Sequence, residues 1–243
     1  MTDNAKRALV TGGSGDIGAA TCRALAQAGL HVTVHANSNL ARAGAVVEQI
    51  QQAGGQAEAV AFDVTDVAAS ETAINRILEA GPIQVLVNNA GIHDDAPLAG
   101  MSHEQWSRVI DVSLNGFYNV TRPLVMPMMR SRWGRIISTS SVAGVMGNRG
   151  QANYAAAKAA LHGASKSLAM ELASRGVTVN VVAPGIIAGS MTENLFPEDQ
   201  IKQMVPARRA GTPEEVAALV GFLASDAAAY ISGQVIGVNG GMA

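Results

Sequence analysis

A glycine-rich turn between a short apolar strand and a helix restricts the fold more than any other feature of the sequence. An apolar run ending at Val10 is followed by Thr-Gly-Gly-Ser-Gly-Asp-Ile-Gly, in which Gly13, Gly15 and Gly18 have the spacing G-x-G-x-x-G. Glycines let the backbone turn tightly and approach a pyrophosphate, and the helix N-terminus presents unpaired N–H groups to that anion. In this strand–loop–helix context the turn predicts a dinucleotide site. Taken alone, the spacing also fits a glycine-rich turn that binds nothing.

The rest of the chain alternates between short β-branched runs and alanine-rich helical stretches. Strands are predicted at residues 8–11, 31–36, 57–62, 85–88, 135–139, 177–182 and 234–238. Helices are predicted at residues 17–29, 41–53, 67–80, 104–132, 153–174 and 213–224, with bends in the fourth at Pro123 and Pro127. This βαβα order predicts an α/β fold with a Rossmann-like, doubly wound parallel sheet and helices on both faces.

The sequence shows no internal repeat, linker or low-complexity tract, so we expect a single domain over residues 1–243. Residues 189–211 have the weakest periodicity. They are expected to form either a mobile, partly helical segment over the site or an ordinary surface excursion.

Composition excludes several classes of function. Apolar residues make up 48% of the chain, charged residues 15%, and the formal net charge is −2. A basic stripe for nucleic acid, a polybasic membrane patch, a membrane span and a secretory leader are all missing from the pattern. The single cysteine, Cys22, excludes an internal disulfide and a cysteine-rich metal site. We therefore expect a cytoplasmic protein with no bound metal and no nucleic-acid or membrane partner.

The end of the second predicted strand bears on which dinucleotide is used. An acidic residue there would hydrogen-bond the ribose 2′-hydroxyl of NAD and repel the extra phosphate of NADP, but this stretch has none. Asn37 and Ser38 could donate to a 2′-phosphate, and Arg42 follows one helical turn later. The pattern favours NADP(H) over NAD, although Asn37 and Ser38 are also typical of a turn and a helix cap.

A tyrosine and a lysine four residues apart are the first candidate catalytic pair. Tyr154 and Lys158 lie in a predicted helix, where this spacing puts both side chains on one face. A nearby cation lowers the pKa of a phenol from about 10 and would make Tyr154 a proton donor to a carbonyl oxygen. By itself the pair also fits a solvated helix face.

Hydroxyl and amide side chains end two other predicted strands. Four hydroxyls, from Ser138 to Ser141, follow the fifth strand, where one of them could hold a substrate oxygen, but the spacing does not choose among them. Asn88-Asn89-Ala90-Gly91 ends the fourth strand. Its small residues and amides suit close approach to a cofactor ribose or, equally, a capped turn.

These motifs together resemble those of the short-chain dehydrogenase/reductases, and most closely the 3-oxoacyl-acyl-carrier-protein reductases. The similarity runs over nearly the whole chain and includes the motifs at residues 11–18, 63–64, 88–91, 141, 150–158, 184–185 and 238–241. It implies that Tyr154 is the proton donor, that Lys158 lowers its pKa and holds the nicotinamide ribose, and that Ser141 is the catalytic hydroxyl. The cofactor residues that it implies, or that the patterns above indicate, are Gly12, Ser14, Gly15, Asp16, Ile17, Gly18, Asn37, Ser38, Asp63, Val64, Asn89, Ala90, Gly91, Tyr154, Lys158, Pro184, Gly185 and Ile187.

The resemblance also implies a substrate and partners. It predicts NADPH-dependent reduction of a 3-oxoacyl thioester on acyl carrier protein to the 3-hydroxyacyl thioester by a homotetramer. Arg132 and Arg175 match the basic pair that docks the acidic carrier, although arginines at helix ends are equally common beside the dipole. The alternatives are a reductase or dehydrogenase of a free ketone or secondary alcohol, and a cofactor-binding paralogue of low activity.

Four positions depart from the pattern of the family. Asp16 replaces the usual second loop glycine, and its carboxylate would disfavour a pyrophosphate unless it turns away or caps the helix. Gly15 stands where similar NADPH reductases often carry an arginine. Ser113 replaces an asparagine that anchors a water leading from the lysine, so proton resupply could use Ser113, Asn115 or water. Gly189 replaces a threonine that commonly binds the carboxamide.

Overall fold

A single parallel sheet forms the centre of the protein. The computed structural model describes residues 5–190 and 197–243. Within those residues, seven strands run in the order β3-β2-β1-β4-β5-β6-β7, and every neighbouring pair is parallel. The strands are β1 Arg7–Val10, β2 His31–Ala36, β3 Gln56–Ala61, β4 Val85–Asn88, β5 Gly134–Thr139, β6 Val177–Pro184 and β7 Val235–Val238. The order reverses between β1 and β4, which is where ligands bind in open α/β sheets.

Helices cover both faces of this sheet. They are α1 Asp16–Gln27, α2 Leu40–Gln52, α3 Val67–Glu79, α4 His103–Ile110, α5 Gly116–Ser131, α6 Val142–Met146, α7 Ala152–Leu172, α8 Glu198–Met204 and α9 Pro213–Ala224. Side chains alternate along each strand, so Ala8 and Val10 pack against α1, α2 and α9, whereas Leu9 packs against α3, α5 and α7. The predicted doubly wound α/β fold is confirmed, and the single domain over residues 1–243 stays a prediction.

The sheet is apolar because it is buried on both sides. All eight residues of β6 are buried, as are all four of β4. Parallel strands covered by helices show such continuous apolar runs, and each large side chain removed from water stabilises the fold by roughly 1.5–3 kcal/mol. These two layers hold the carboxyl ends of the strands at fixed positions, and the candidate site lies at those ends.

The predicted helix over 104–132 is two α-helices joined by a wider, π-helical turn. Helices α4 and α5 are connected by a π-helical turn, Asp111–Asn115, and both Pro123 and Pro127 lie inside α5. The interruption that the structure shows therefore precedes both prolines. Helix α6 was not predicted, because five residues around a glycine are too few for helical periodicity.

The weakly periodic segment is partly helical, as expected. It contains α8, and residues 191–196 of it lie outside the described residues. Ile187 forms a parallel bridge with Gly211, so the two ends of the segment meet beside the sheet. Within the described ranges, none of the helices combines the length and the apolar character needed to cross a membrane.

Candidate active site

An open cavity of about 640 Å³ lies at the carboxyl ends of β1, β2, β4, β5 and β6. Every predicted cofactor residue except Ser38 lines it, and so do Ser141, Tyr154 and Lys158. Ser38 is exposed on the turn before α2. The structure thus brings together, from seven parts of the chain, the residues that the motifs predicted to share one site.

The glycine loop is shaped by the close approach of α1. Gly12 has a left-handed backbone, with φ +61°, and a Cβ atom at Gly18 would lie 2.1 Å from the Gly12 carbonyl oxygen. A side chain at Gly18 would therefore push α1 away from the loop. Gly15 is different, because a Cβ there would lie 3.5 Å from the same oxygen, an ordinary contact. Position 15 has room for a side chain.

Hydrogen bonds from the end of β4 hold this loop in place. The Thr11 hydroxyl accepts from the Asn89 and Ala90 amides at 3.0 Å each. The Asn89 side chain donates in turn to the Thr11 and Gly12 carbonyls at 3.1 Å. Asn88 points the other way and donates to Thr121 at 3.0 Å. Asn89 therefore fixes the glycine loop, which lines the cofactor cavity.

His35 is a functional residue that the sequence analysis did not single out. Its ring is 1% exposed and lines the cavity. Nδ1 accepts from the Gly12 amide at 3.0 Å, so Nε2 carries the proton and donates to the Phe62 carbonyl at 2.8 Å. The neutral ring thereby joins the ends of β1, β2 and β3. Burial lowers the pKa of His35 below its usual value of about 6.5, and the Phe62 carbonyl and Asp63 oppose that shift.

The catalytic candidates meet at the ends of β5 and α7. The Ser141 side chain is close enough to the Tyr154 phenol to lower its pKa through a hydrogen bond. Lys158 Nζ lies 5.6 Å from the Tyr154 ring centroid and donates to the Thr139 carbonyl at 2.9 Å. Ser140 instead contacts the Lys158 carbonyl and His162. Among the four hydroxyls after β5, Ser141 is thus the one placed to share a ligand oxygen with Tyr154.

Helix α6 explains why Ser141 points into the cavity. Ser141 is its N-cap residue, with an extended backbone, and its Oγ accepts from the Ala143 amide at 3.1 Å. That bond uses an acceptor site of the hydroxyl and leaves its proton free to donate. The cap therefore orients the side chain without consuming the group that could bind a substrate oxygen.

The expected lowering of the Tyr154 pKa by Lys158 is wrong for this structure. Burial raises the pKa of Tyr154 above its usual value, the hydrogen bond to Ser141 acts against that shift, and Asp95 adds to it. Burial also lowers the pKa of Lys158 to about 8. The ammonium turns towards the Thr139 carbonyl rather than the phenol, so removal from water has the larger effect on both groups.

The start of α7 is anchored by Asn153, another residue that the motifs did not single out for a role. Asn153 is completely buried. Its side-chain nitrogen donates to the Asp94 and Gln105 carbonyls at 2.9 and 3.0 Å, and its oxygen accepts from the Tyr154 amide at 2.8 Å. These bonds fix the turn of helix that carries Tyr154.

The two candidates for proton resupply are placed differently. The Ser113 hydroxyl is buried and has no hydrogen-bond partner within the described residues. A Cβ built at Gly91 would lie 3.6 Å from Ser113 Oγ and 2.9 Å from Lys158 Nζ, so the hydroxyl and the ammonium share one neighbourhood. Asn115 instead donates to Asp111 at 2.7 Å and does not line the cavity.

The candidate carrier-docking arginines lie outside the cavity. Arg132 and Arg175 are exposed and precede β5 and β6, at the amino edge of the sheet. Arg132 reaches the Ser174 carbonyl at 3.3 Å, so the two residues sit on adjoining turns. They form a basic pair at the edge opposite the site.

Two features of the cavity fit a dinucleotide. The first-turn amides of α1 border it beside the glycine loop, where an anion is favoured. The Thr139 hydroxyl lines it, is buried, and has no partner within the described residues. At the other end, Asn37 and Arg42 line the wall beside Asp63, whose carboxylate is held by the Thr65 amide and hydroxyl.

The chain belongs to the short-chain dehydrogenase family, whose sequence profile matches residues 6–200. Among similar proteins, a 3-oxoacyl-(acyl-carrier-protein) reductase of Synechocystis is 50% identical, over 98% of this chain and 97% of its own length. The enzyme of that name from Escherichia coli strain K12 is 46% identical over 100% of this chain and 99% of its own length. The enzyme of Aggregatibacter actinomycetemcomitans is 45% identical over 96% of this chain and 98% of its own length. The predicted resemblance is confirmed, and it supports an oxidoreductase that uses a nicotinamide dinucleotide.

Replacing His35 with phenylalanine tests its role in the cofactor cavity. The change leaves the buried Gly12 amide and Phe62 carbonyl without partners, and each costs about 1–3 kcal/mol. We expect the dissociation constant for NADPH, measured by fluorescence titration, to rise about tenfold or more.

The same variant tests how the free energy of unfolding depends on pH. Because the pKa of His35 is lowered by folding, its contribution to the free energy of unfolding is complete above pH about 6.5 and is lost as the pH falls. Urea unfolding from pH 5 to 8 should show a steeper acid loss for the wild type than for His35→Phe. The exposed His103→Phe serves as the control and should follow the wild type. Identical slopes for His35→Phe and the wild type would contradict the assignment.

Proposed function

We propose that the protein reduces a 3-oxoacyl thioester on acyl carrier protein to the 3-hydroxyacyl thioester, with NADPH as the reductant. The observation that supports this most directly is the meeting of Ser141, Tyr154 and Lys158 in the cavity that also contains the glycine loop. The names of the relatives, at 45–50% identity over nearly full length, supply the substrate class. A cytoplasmic location suits such a substrate.

The substrate oxygen would sit between two hydroxyls. Ser141 and Tyr154 lie within hydrogen-bond distance of each other, so one carbonyl oxygen could accept from both. Burial keeps the pKa of Tyr154 above its usual value, and the phenol is therefore protonated at neutral pH. When bound, the nicotinamide supplies the hydride to the carbonyl carbon. Tyr154 then gives its proton to the oxygen as negative charge develops there.

Lys158 would stabilise the phenolate that proton transfer leaves behind. With a pKa of about 8, its ammonium is mostly charged at neutral pH. It is 3% exposed, so its charge acts through a medium of low polarity. A proton can return to Tyr154 through this ammonium. Ser113, with its unpaired hydroxyl beside Lys158, is a better candidate than Asn115 for holding a water on that route.

The proposed preference for NADP rests on the residues that line the cavity after β2. Arg42 lines the cavity, and its guanidinium forms no ion pair within the described residues. Asn37 lines the same cavity, whereas Ser38 does not. A 2′-phosphate would supply the anion that Arg42 lacks. Gly15 offers no cation, so Arg42 is the residue on which this preference depends.

Arg132 and Arg175 would bind the acidic carrier. They lie at the amino edge of the sheet, whereas the cavity opens at the carboxyl edge. A carrier docked on this pair would therefore face away from the cavity of the same chain. We propose that the protein is a homotetramer in which the pair serves the cavity of another copy.

Removal of the Tyr154 phenol tests the reaction. Tyr154→Phe should lower kcat with a short 3-oxoacyl carrier substrate by about 10²–10⁴-fold, because general acid catalysis is lost. The dissociation constant for NADPH should change little. Tyr230→Phe, at a fully exposed tyrosine, is the matched control. Reduction by Tyr154→Phe at the wild-type rate would exclude this mechanism.

Arg42→Ala tests the cofactor preference. A charge-assisted hydrogen bond to a phosphate is worth about 1.5–3 kcal/mol, so KM for NADPH should rise about tenfold or more while KM for NADH stays unchanged. Arg76→Ala, at an exposed position on α3, is the control. An equal rise for both cofactors would argue against a 2′-phosphate contact.

The double variant Arg132→Ala/Arg175→Ala tests carrier docking. KM for the carrier-bound substrate should rise about tenfold, since long-range attraction of an acidic partner is lost. Turnover of a free 3-oxoacyl thioester should not change. If both substrates are turned over as well as by the wild type, the two arginines do not dock the carrier.

A further inference from the structure

Asp16, one of the four departures from the family pattern, is hydrogen-bonded to Ser190, the residue that follows another departure, Gly189. Asp16 is the first residue of α1, and Ser190 lies in the chain that leaves β6, 174 positions later. The Ser190 amide donates to Asp16 Oδ2 at 2.6 Å, and the Ser190 hydroxyl donates to the same oxygen at 2.7 Å. We call this pair of hydrogen bonds the Asp16–Ser190 clasp.

The clasp explains the glycine at position 189. A Cβ atom there would lie 2.5 Å from Asp16 Oδ2 and 3.0 Å from its Cγ. Real Cβ atoms do not approach an oxygen to 2.5 Å, so a side chain at 189 would displace the carboxylate from its present position and disturb both hydrogen bonds. The φ of Gly189, +157°, is also one that other residues rarely adopt. Asp16 and Gly189 are therefore structurally coupled.

The clasp closes part of the wall of the cofactor cavity. Asp16, Gly189 and Ser190 all line that cavity, and Asp16 belongs to the glycine loop. Behind the clasp, the Ala188 amide donates to the Gly211 carbonyl at 2.8 Å. The chain leaving β6 is thus held on one side by Gly211 and on the other by Asp16.

The hydrogen bonds to Ser190 also hold one oxygen of the carboxylate. Two donors on Ser190 bind Oδ2, so this oxygen is not free beside the loop amides. A negative side chain in the first turn of a helix is itself favourable.

We propose that Asp16 is a positioning residue that holds Ser190 and so keeps the wall of the cofactor cavity closed over the bound dinucleotide. The carboxylate acts through the Ser190 main chain, with no contact to the reacting atoms. Its effect falls on the rate at which the dinucleotide leaves. The proposal rests on the dinucleotide part of the proposed function and is independent of the acyl substrate.

The first experiment measures dissociation of NADPH by stopped-flow fluorescence, with excess NADP⁺ as the displacing ligand and no acyl substrate present. Asp16→Gly removes both hydrogen bonds and should raise the dissociation rate constant about tenfold. Ser190→Ala removes one and should have a smaller effect. The double variant should release NADPH no faster than Asp16→Gly alone. Glu104→Gln, at another first-turn carboxylate, is the control and should match the wild type.

The second experiment uses the steric link between positions 16 and 189. Gly189→Ala should raise the dissociation rate constant and KM for NADPH in the wild-type background, because it displaces the carboxylate. In the Asp16→Gly background the obstructing carboxylate is missing, so Gly189→Ala should lose most of its effect and keep only the strain of its backbone, with φ +157°. A change that only loosened the fold would be as harmful in either background.

Each outcome decides the proposal. Faster release from Asp16→Gly, together with loss of the Gly189→Ala effect in that background, supports it. Two results overturn it: release of NADPH from Asp16→Gly at the wild-type rate, or an equal effect of Gly189→Ala in both backgrounds. Either result leaves the proposed function standing. If the wild-type protein binds no dinucleotide at all, the proposed function fails, and this proposal fails with it.

Discussion

The contact between helix α1 and the glycine loop is the constraint on which the cavity depends. The helix approaches the Gly12 carbonyl so closely that Gly18 has no room for a side chain. That approach brings the first-turn amides to the end of β1 and sets where Asp16 can reach. It also sets how α1 packs on α9 and on the apolar layer below. A displacement at this one contact would therefore move the glycine loop, the cavity wall at Asp16 and the apolar layer under α1 together.

Burial acts in opposite directions on the two ionisable groups of the catalytic pair. It raises the pKa of the Tyr154 phenol and lowers that of the Lys158 ammonium to about 8. Both groups still carry their protons at neutral pH. In the proposed mechanism, the pair therefore enters the reaction with a proton to give and a positive charge nearby. Thr139 and Asn153 hold this arrangement through main-chain contacts that do not themselves titrate.

Local patterns predicted the framework well and the small elements poorly. The bounds of β2, β4 and α9 agree with the prediction, because β-branched runs and a Thr-Pro helix start are strong local signals. Helix α6 was missed because its five residues have no periodicity. The π-helical turn at 111–115 was missed because its five residues are too few to show a period of their own.

Site residues that belong to a sequence motif were predicted, whereas those whose role depends on long-range contacts were not. Tyr154, Lys158 and the glycine loop were singled out by their spacing together with the strands and helices around them, whereas the choice of Ser141 among four hydroxyls needed the family resemblance. His35 gave no signal, because one histidine in an apolar strand is indistinguishable from a core residue until both ring nitrogens find partners. The sign of the Tyr154 pKa shift was wrong because sequence spacing contains no information on burial.

The crowding between positions 16 and 189 also couples the choice of residue at these two sites. A side chain at 189 would meet the Asp16 carboxylate in its present position, so the carboxylate would have to turn away. Substitutions at the two sites are thus expected to be non-additive, and a loop transplanted from a homologue should fit best when both residues are exchanged together.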